Sequence, residues 1–571
     1  MNQNEQQLEN HFIEELKKLG WKYIPCEQLD RTGADEQLLE IELAEKIKNL
    51  NKYKNITAED VKRAINELKF TTTSIEGAKK LLNFYKQGVP IKYETEGIVR
   101  FTRLFDFDDI KNNSFTISRQ VVHTGAEKIK NDIILYINGI PLVNIELKDP
   151  LNPAESWRNA YNQIIDYFGK LPELYKYIQI GVAANSRARY FPIAQWTNEV
   201  KTYEWKVEEK DSVDSVIQML NPEVLLDIIK NFLFVRVEKG EVTKVITRYM
   251  QIRAVNKIFD RVKDYYLKKD TKDKGLIWHW QGSGKTFEII TAANKLQTFS
   301  PLENPTQFII LDRDDLQTQL SNEYHSLEIP LPKVIESIEG LKRVITADSL
   351  KGLRGVYIVL MHKFRPGEFD EISKLLSSTE KETIATRKNV ICYIDEGHRT
   401  QYGLLAGQMK SLLKNAFFFA FTGTPISSIG KNTYSEFSYP PEESYLDRYF
   451  IGESIADGFT KKITYRQRLD ELHLDKNKLE TFLQGEYEEI PDVYREDIKQ
   501  DIRQKLNTVN VFLEDEKRID KIAPDIANHF RDNVDGNFKG MVVTASRLAC
   551  VRYKKALDKY LPPSYSEVVM T

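Results

Sequence analysis

The pattern of apolar and polar positions changes character twice along the chain. Over residues 5–19 the apolar positions Leu8, Phe12, Leu16 and Leu19 recur at helical spacing, and Gly20 supplies a stop. Residues 36–70 predict two more charged helices. Between 101 and 148 the runs shorten to β-like segments: "SFTISRQVV", "DIILYI" and "PLVNIEL". An amphipathic helix over 157–168 and a buried strand in "YIQIGVAA" follow. From residue 245 onward longer apolar runs ("LIWHW", "FIILD", "VYIVLM", "VICYID", "AFFFAFTG") alternate with helical segments. Unbroken apolar runs joined by helices predict a parallel sheet covered on both faces. Residues 466–535 are charged and mostly helical. "MVVTASR" (541–547) predicts a fresh buried strand, with a helix at 549–560 after it.

At 571 residues the chain exceeds a single core, and about 150 residues per domain predicts three or four domains. No stretch approaches the ~20 apolar residues of a membrane span. The start, "MNQNEQQLEN", is polar and acidic, unlike a targeting presequence. Cys26, Cys392 and Cys550 lie too far apart for a zinc spacing or a disulfide framework, which points to a reducing cytoplasm. A net charge of −2 neither announces nor excludes a nucleic-acid partner, because binding follows local patches.

Chemistry enters at "LIWHWQGSGKTFEII". Gly282, Ser283, Gly284, Lys285 and Thr286 stand between a strand and a helix. Glycines let backbone amides wrap a phosphate, and the helix N-terminus adds partial positive charge. Lys285 would reach the β- and γ-phosphates, and the Thr286 hydroxyl would ligate Mg²⁺. The usual first glycine of the phosphate-loop pattern is replaced by His279. "VICYIDEGHR" ends a buried strand in Asp395 and Glu396: the first acid suits the nucleotide's Mg²⁺, the second the attacking water. Thr422, Gly423 and Thr424, in "FFFAFTGTP", follow another buried strand. Gln251, in "RYMQ", is placed where an adenine-reading amide could sit.

The phosphate loop, DEGH, TGTP and "VVTASR", in this order, resemble superfamily 2 helicases and translocases. The resemblance implies two RecA-like lobes, with Thr422, Gly423 and Thr424 coupling them and His398 and Arg399 relaying the nucleotide state. "WHWQGSGKT", "LDRDDLQTQL", "IDEGHRTQYG" and "FTGTPI" are narrower and resemble the motor subunit of type I restriction enzymes. "INGIPLVNIELKDP" and "NAYNQIIDYF" match that family's nuclease domain, so the resemblance covers nearly the whole chain. The family consensus has alanine at Gly397 and a small polar residue at Trp280; neither departure removes a catalytic group. The resemblance implies an ATP-driven double-stranded DNA translocase and endonuclease that works with modification (methyltransferase) and specificity subunits. After "VVTASR" no later motif supplies the second lobe's arginine finger. The chain alone is therefore expected to bind ATP weakly and not to translocate.

The nuclease reading turns on one tripeptide. Glu-Leu-Lys occurs at 15–17 and 67–69, in helical patterns, and at 146–148, in a strand. In a strand Glu146 and Lys148 share a face, while Ile145 and Leu147 turn the other way. Asn138-Gly139 is a hairpin signal. A three-residue loop would set Asp132 opposite Glu146; a two-residue loop would leave them one residue out of register. Two carboxylates and an ammonium on one sheet edge suit metal-assisted phosphodiester hydrolysis, with Asp132 and Glu146 holding Mg²⁺. This is the PD-(D/E)xK arrangement, with Asn131 in place of the proline. Gln163 and Tyr167, spaced i, i+4, match the family's QxxxY element. Glu9 is a weaker candidate for a further acid.

The fold class expected is therefore multidomain α/β. It comprises a PD-(D/E)xK nuclease-like domain (1–215), a linker (216–245), a first RecA-like lobe (246–460), a helical connector (461–535) and the start of a second lobe (536–571). The alternatives are a type III-like or stand-alone helicase-nuclease of phage defence and a non-catalytic DNA-binding scaffold. Intact GSGKT, Asp-Glu and Asp…Glu-x-Lys motifs argue against the scaffold.

Overall fold

The apolar runs of the N-terminal third form a six-stranded mixed sheet. Edge to edge the strands are Lys22–Tyr23, Phe115–Thr124, Lys128–Ile137, Ile140–Leu147, Ile180–Ala184 and Ala188–Pro192. The computed structural model describes residues 3–94, 96–125, 127–197, 199–378, 382–395, 407–425, 427–428, 431–465 and 513–570. Ile140–Leu147 and Ile180–Ala184 run parallel, so the chain must cross over between them, and the helix Trp157–Lys170 makes that crossover. Ser156 caps this helix: its hydroxyl accepts from the Arg158 amide at 3.2 Å, and Asn159 accepts from the Ser156 amide at 2.9 Å. The helix buries Ala160, Ile164 and Phe168 against Ile134 and Tyr136. On the opposite face, Phe12 and Leu16 of the helix Gln3–Lys18 pack with Ile133, Leu135, Ile145 and Leu147.

The second sheet has seven strands: Lys333–Ile335, Gly355–Leu360, Thr306–Leu311, Val390–Asp395, Phe417–Thr422, Lys274–His279 and Asp447–Tyr449. Every neighbouring pair is parallel. All C-terminal strand ends therefore lie along one edge of the sheet, where open α/β sheets bind ligands. Both sheets belong to one compact unit, residues 1–461.

Residues 216–245, expected as a linker, are folded. They contain the helix Pro222–Asp227, a π-helical turn Ile228–Phe232 and most of the hairpin Leu233–Glu238/Glu241–Ile246, with Leu225, Ile228, Ile229 and Phe232 fully buried. The second unit, 462–571, pairs helices Glu516–Asn533 and Arg547–Leu557 through Ile519, Ala523, Ala527, Ala556 and Leu557. "MVVT" there is not a buried strand: Met541 is 86% and Val543 80% exposed. A strand needs a ladder partner for its amides and a surface for its side chains, and the described residues 513–570 contain no strand. Most of the expected connector, 466–512, lies outside the described residues.

Candidate functional sites

The hairpin decides the geometry of the first site. Asn138 and Gly139 form a two-residue turn, both at positive φ (51° and 79°), and Ile137 pairs with Ile140. Continued unchanged, that register would leave Asp132 and Glu146 one residue apart. It does not continue: the pairing shifts between Leu135 and Tyr136, so that Leu135 faces Val143 and Ile133 faces Ile145. One extra residue on the second strand, a β-bulge, thus sets Asp132 opposite Glu146 despite the two-residue turn. Their contacts cross the hairpin. Asp132 Oδ2 accepts from the Leu147 amide at 2.8 Å, and Glu146 Oε1 accepts from the Asp132 amide at 3.3 Å.

These acids do not lie on a sheet edge, as expected from sequence, but on the two central strands, beneath the helix Trp157–Lys170. Glu146 is fully buried and Asp132 nearly so. Burial pushes the Glu146 carboxyl well above its usual range, and the Asp132 charge adds to the effect. The structure brings Lys148, Gln163 and Tyr167 to the same place. The Gln163 amide nitrogen donates to Glu146 Oε2 at 2.8 Å, and its oxygen accepts from Lys148 Nζ at 2.5 Å. Tyr167 lies one turn along, its hydroxyl 2.8 Å from Gln163 Nε2 and donating to the Lys130 carbonyl at 3.0 Å. Burial and the Glu146 charge push the Tyr167 phenol up to about 12, so it remains a neutral donor.

Glu9 also reaches this region. It is buried, its carboxylate accepts from Gln120 Nε2 at 2.7 Å, and the same nitrogen lies 3.5 Å from Asp132 Oδ1. Burial first and the Asp132 charge also raise the Glu9 carboxyl. Sequence reasoning missed the polar support beneath the pair. Asn131 Nδ2 donates to the Tyr175 hydroxyl at 3.1 Å and lies 3.5 Å from Glu146 Oε1; Asn144 donates to the same hydroxyl at 2.7 Å. Asn131 was legible only as the residue in the proline's place and Asn144 only as a polar interruption of an apolar strand; nothing in the sequence marks Tyr175.

The donor set fits a divalent cation. Two carboxylates face each other in a buried setting, where charge on both is unfavourable without a cation between them. Among the described residues no group of three or more His, Cys, Asp or Glu side chains forms a metal cage, so these two acids would share the ion with backbone or water oxygens.

The second site lies at the C-terminal edge of the parallel sheet. Lys274–His279 delivers the phosphate loop to the helix Lys285–Gln297. Gly282 (φ 80°) and Gly284 (φ 94°) take left-handed backbone, and a Cβ on Gly284 would stand 2.3 Å from Gln251 Nε2. Ser283 Oγ is buried with no hydrogen-bond partner among the described residues, a donor free for a phosphate oxygen. Cradle, orphaned hydroxyl, Lys285 and Thr286 together fit a nucleoside triphosphate.

Gln251 is nearly buried, and its amide donates to the Ser283 carbonyl at 2.9 Å and the Gly284 carbonyl at 3.2 Å. The sequence placed it near a base; the structure has it bracing the loop. Gln319, which sequence reasoning did not single out, places its amide 3.4 Å from Thr286 Oγ1. Asp395 ends its strand opposite Phe421, and Thr422 faces Trp278 in the neighbouring pairing. Gly423 sits close enough to the loop that a Cβ would meet Gln281 at 3.2 Å and the His279 carbonyl at 3.4 Å. The Trp278 indole donates to the Gly423 carbonyl at 3.2 Å, and the Thr424 amide to Thr422 Oγ1 at 3.1 Å. Glu396, His398 and Arg399 lie outside the described residues.

Comparison with known proteins finds two matching families. Residues 2–200 match the family "Type I restriction enzyme R protein N terminus (HSDR_N)", and residues 250–500 match "SWI2/SNF2 ATPase". Two putative type I restriction enzyme endonuclease subunits of Methanocaldococcus jannaschii are similar. MjaVIIIP is 32% identical over 97% of this chain and 55% of its own length. MjaVIIP is 31% identical over 86% of this chain and 56% of its own. The HindI endonuclease subunit of Haemophilus influenzae is 29% identical over 96% of this chain and 53% of its own. The chain spans about half the length of these relatives.

Proposed function

This chain belongs to the type I restriction enzyme R proteins, and we propose that it provides that enzyme's nuclease and ATP-driven motor, acting on double-stranded DNA. Methyltransferase and specificity subunits would be its partners, and the cytoplasm its setting. Among the described residues no helix is long and apolar enough to cross a membrane. The observation that carries the nuclease half is the single amide of Gln163 joining Glu146 to Lys148 on the face that Asp132 shares.

In this reading Asp132 and Glu146 hold Mg²⁺, which would activate water and offset charge on the scissile phosphate. Lys148, held by Gln163, adds a positive charge beside the pair for the phosphate oxygens. Tyr167 and Gln163 fix the orientation of Glu146 and Lys148. At the second site the backbone amides of 282–286 and Lys285 grip the triphosphate, while Thr286 and Asp395 hold its Mg²⁺. Glu396 orients the attacking water, and Thr422, Gly423, Thr424, His398 and Arg399 pass the nucleotide state to DNA. Gln251 keeps the loop in shape.

The two halves are tested separately in the assembled enzyme. Glu146→Ala or Lys148→Ala is expected to abolish DNA cleavage and leave DNA-stimulated ATPase intact. Lys285→Ala is expected to abolish ATPase. Normal cleavage in the first pair, or normal ATPase in the last, refutes the corresponding half.

A further inference from the structure

One buried cluster of charges under the phosphate loop makes no contact that the ATP site requires. His279 ends the strand that enters the loop, and its side chain is fully buried. Nδ1 lies 2.7 Å from Glu288 Oε1, and Nε2 lies 2.8 Å from Asp447 Oδ2. An ionised carboxylate only accepts hydrogen bonds, whereas a neutral imidazole has one donor. A carboxylate on each nitrogen therefore calls for a ring with two protons. Asp447 is itself held as an anion by Arg253 (Nε 2.9 Å, Nη2 3.1 Å) and Lys257 (2.8 Å).

The partners come from every element around the ring. Glu288 is on the helix Lys285–Gln297 that leaves the loop. Asp447 is on the neighbouring strand, where Tyr449 pairs with His279 and places its ring 5.9 Å away, with its hydroxyl turned to Asp457. Arg253 and Lys257 are on the helix Tyr249–Tyr266, the same helix whose Gln251 braces the loop carbonyls. Burial disfavours the charged ring, but the Glu288 charge and the hydrogen bonds to both carboxylates outweigh it and raise the imidazole to about 9.

We propose that His279, standing where the phosphate-loop pattern has its first glycine, is a positioning residue: it clasps the strand entering the loop to the helix leaving it and to the edge strand, and so fixes the amides that receive a nucleoside triphosphate. This rests on the ATP reading for its consequence but not for its existence, and two experiments separate them.

The first uses the nucleotide-free chain. A group whose pKa is raised on folding adds stability that is complete below its unfolded value, about 6.5, and is lost as pH rises through the folded value. The melting temperature of the wild type is expected to fall through pH about 9 by a step that His279→Gln lacks. Asp447→Asn removes one anion and is expected to move the step to lower pH. It serves as the variant of record should His279→Gln not fold. A wild type with no step, or the same step in His279→Gln, overturns the clasp.

The second experiment titrates the full chain with a fluorescent ATP analogue and Mg²⁺. His279→Gln is expected to bind about tenfold more weakly at neutral pH, the cost of roughly one contact. The wild type is expected to lose affinity toward pH about 9 while the variant stays flat. A histidine serving only fold stability would lower the melting temperature without changing the pH profile of affinity, and that result overturns the positioning role. Absence of binding by the wild type, or equal binding by Lys285→Ala, refutes the ATP reading; the clasp is then decided by the melting experiment.

Discussion

At the scale of single residues, one amide orders the proposed nuclease site. Gln163 uses its nitrogen on Glu146 and its oxygen on Lys148, and Tyr167 completes the nitrogen's contacts. Gln163→Leu keeps the size and the helix but leaves Glu146 and Lys148 free to turn. Loss of such an outer contact typically lowers metal affinity about 10–100-fold. Mg²⁺ titration of DNA cleavage is therefore expected to show a rise of that order in the metal concentration required, with the melting temperature nearly unchanged. An unchanged requirement would mean that Gln163 is only a surface bridge. The sequence showed Gln163 and Tyr167 as a pair on one face of a helix. It could not show which charges that face meets, because this depends on how the crossover helix lies on the sheet.

At the scale of elements, the apolar runs were enough to find the inner strands of the two large sheets, but not their short edge strands Lys22–Tyr23, Ala188–Pro192, Lys333–Ile335 and Asp447–Tyr449. A strand buried on both faces has to be apolar at consecutive positions, and that is visible in "VICYID" or "FFFAFT". The bulge was not visible: an extra residue inside an apolar run leaves the alternation of side chains ambiguous, so both hairpin registers stayed open. "MVVT" misled for the opposite reason, since an apolar run states a preference for burial but does not supply the neighbouring strands. The turn that begins the bulged hairpin gives a test. Gly139 has φ 79°, and a Cβ there would stand 2.5 Å from the Leu39 carbonyl oxygen. Gly139→Ala strains the turn and pushes on the segment before the helix Glu40–Leu50. A cost of about 1–3 kcal/mol is expected from strain at such a position. It should appear in denaturant melts, together with a fall in cleavage as the register between Asp132 and Glu146 loosens. Full stability with full cleavage would show that the turn does not set the register.

At the scale of the whole molecule, the segment between the two sheets works as a seam. Its hairpin is tied to the side of the six-stranded sheet by Trp196 Nε1 donating to the Val242 carbonyl at 2.8 Å and by Lys244 Nζ on Gln179 Oε1 at 2.6 Å. It is tied to the ATPase side by Arg236 on Glu323 at 2.9 Å and by Phe234 against Phe287 of the phosphate-loop helix, ring centroids 5.5 Å apart. The weak point is Lys244, a buried cation with no carboxylate partner among the described residues. Burial first, and then the charge of Lys86, pull its ammonium down to about 7. A lysine lowered on folding destabilises the native state wherever it must stay charged. The penalty is complete below the folded value of about 7 and disappears as pH rises toward the unfolded value of about 10.4. Lys244→Met leaves the Gln179 oxygen without its donor at every pH, so that cost is constant and cancels from a comparison across pH. The melting temperature of Lys244→Met relative to wild type is therefore expected to be highest near pH about 7 and to decline steadily toward pH about 10. A difference that does not change with pH, or that grows as pH rises, would show that burial in the seam does not lower the Lys244 ammonium.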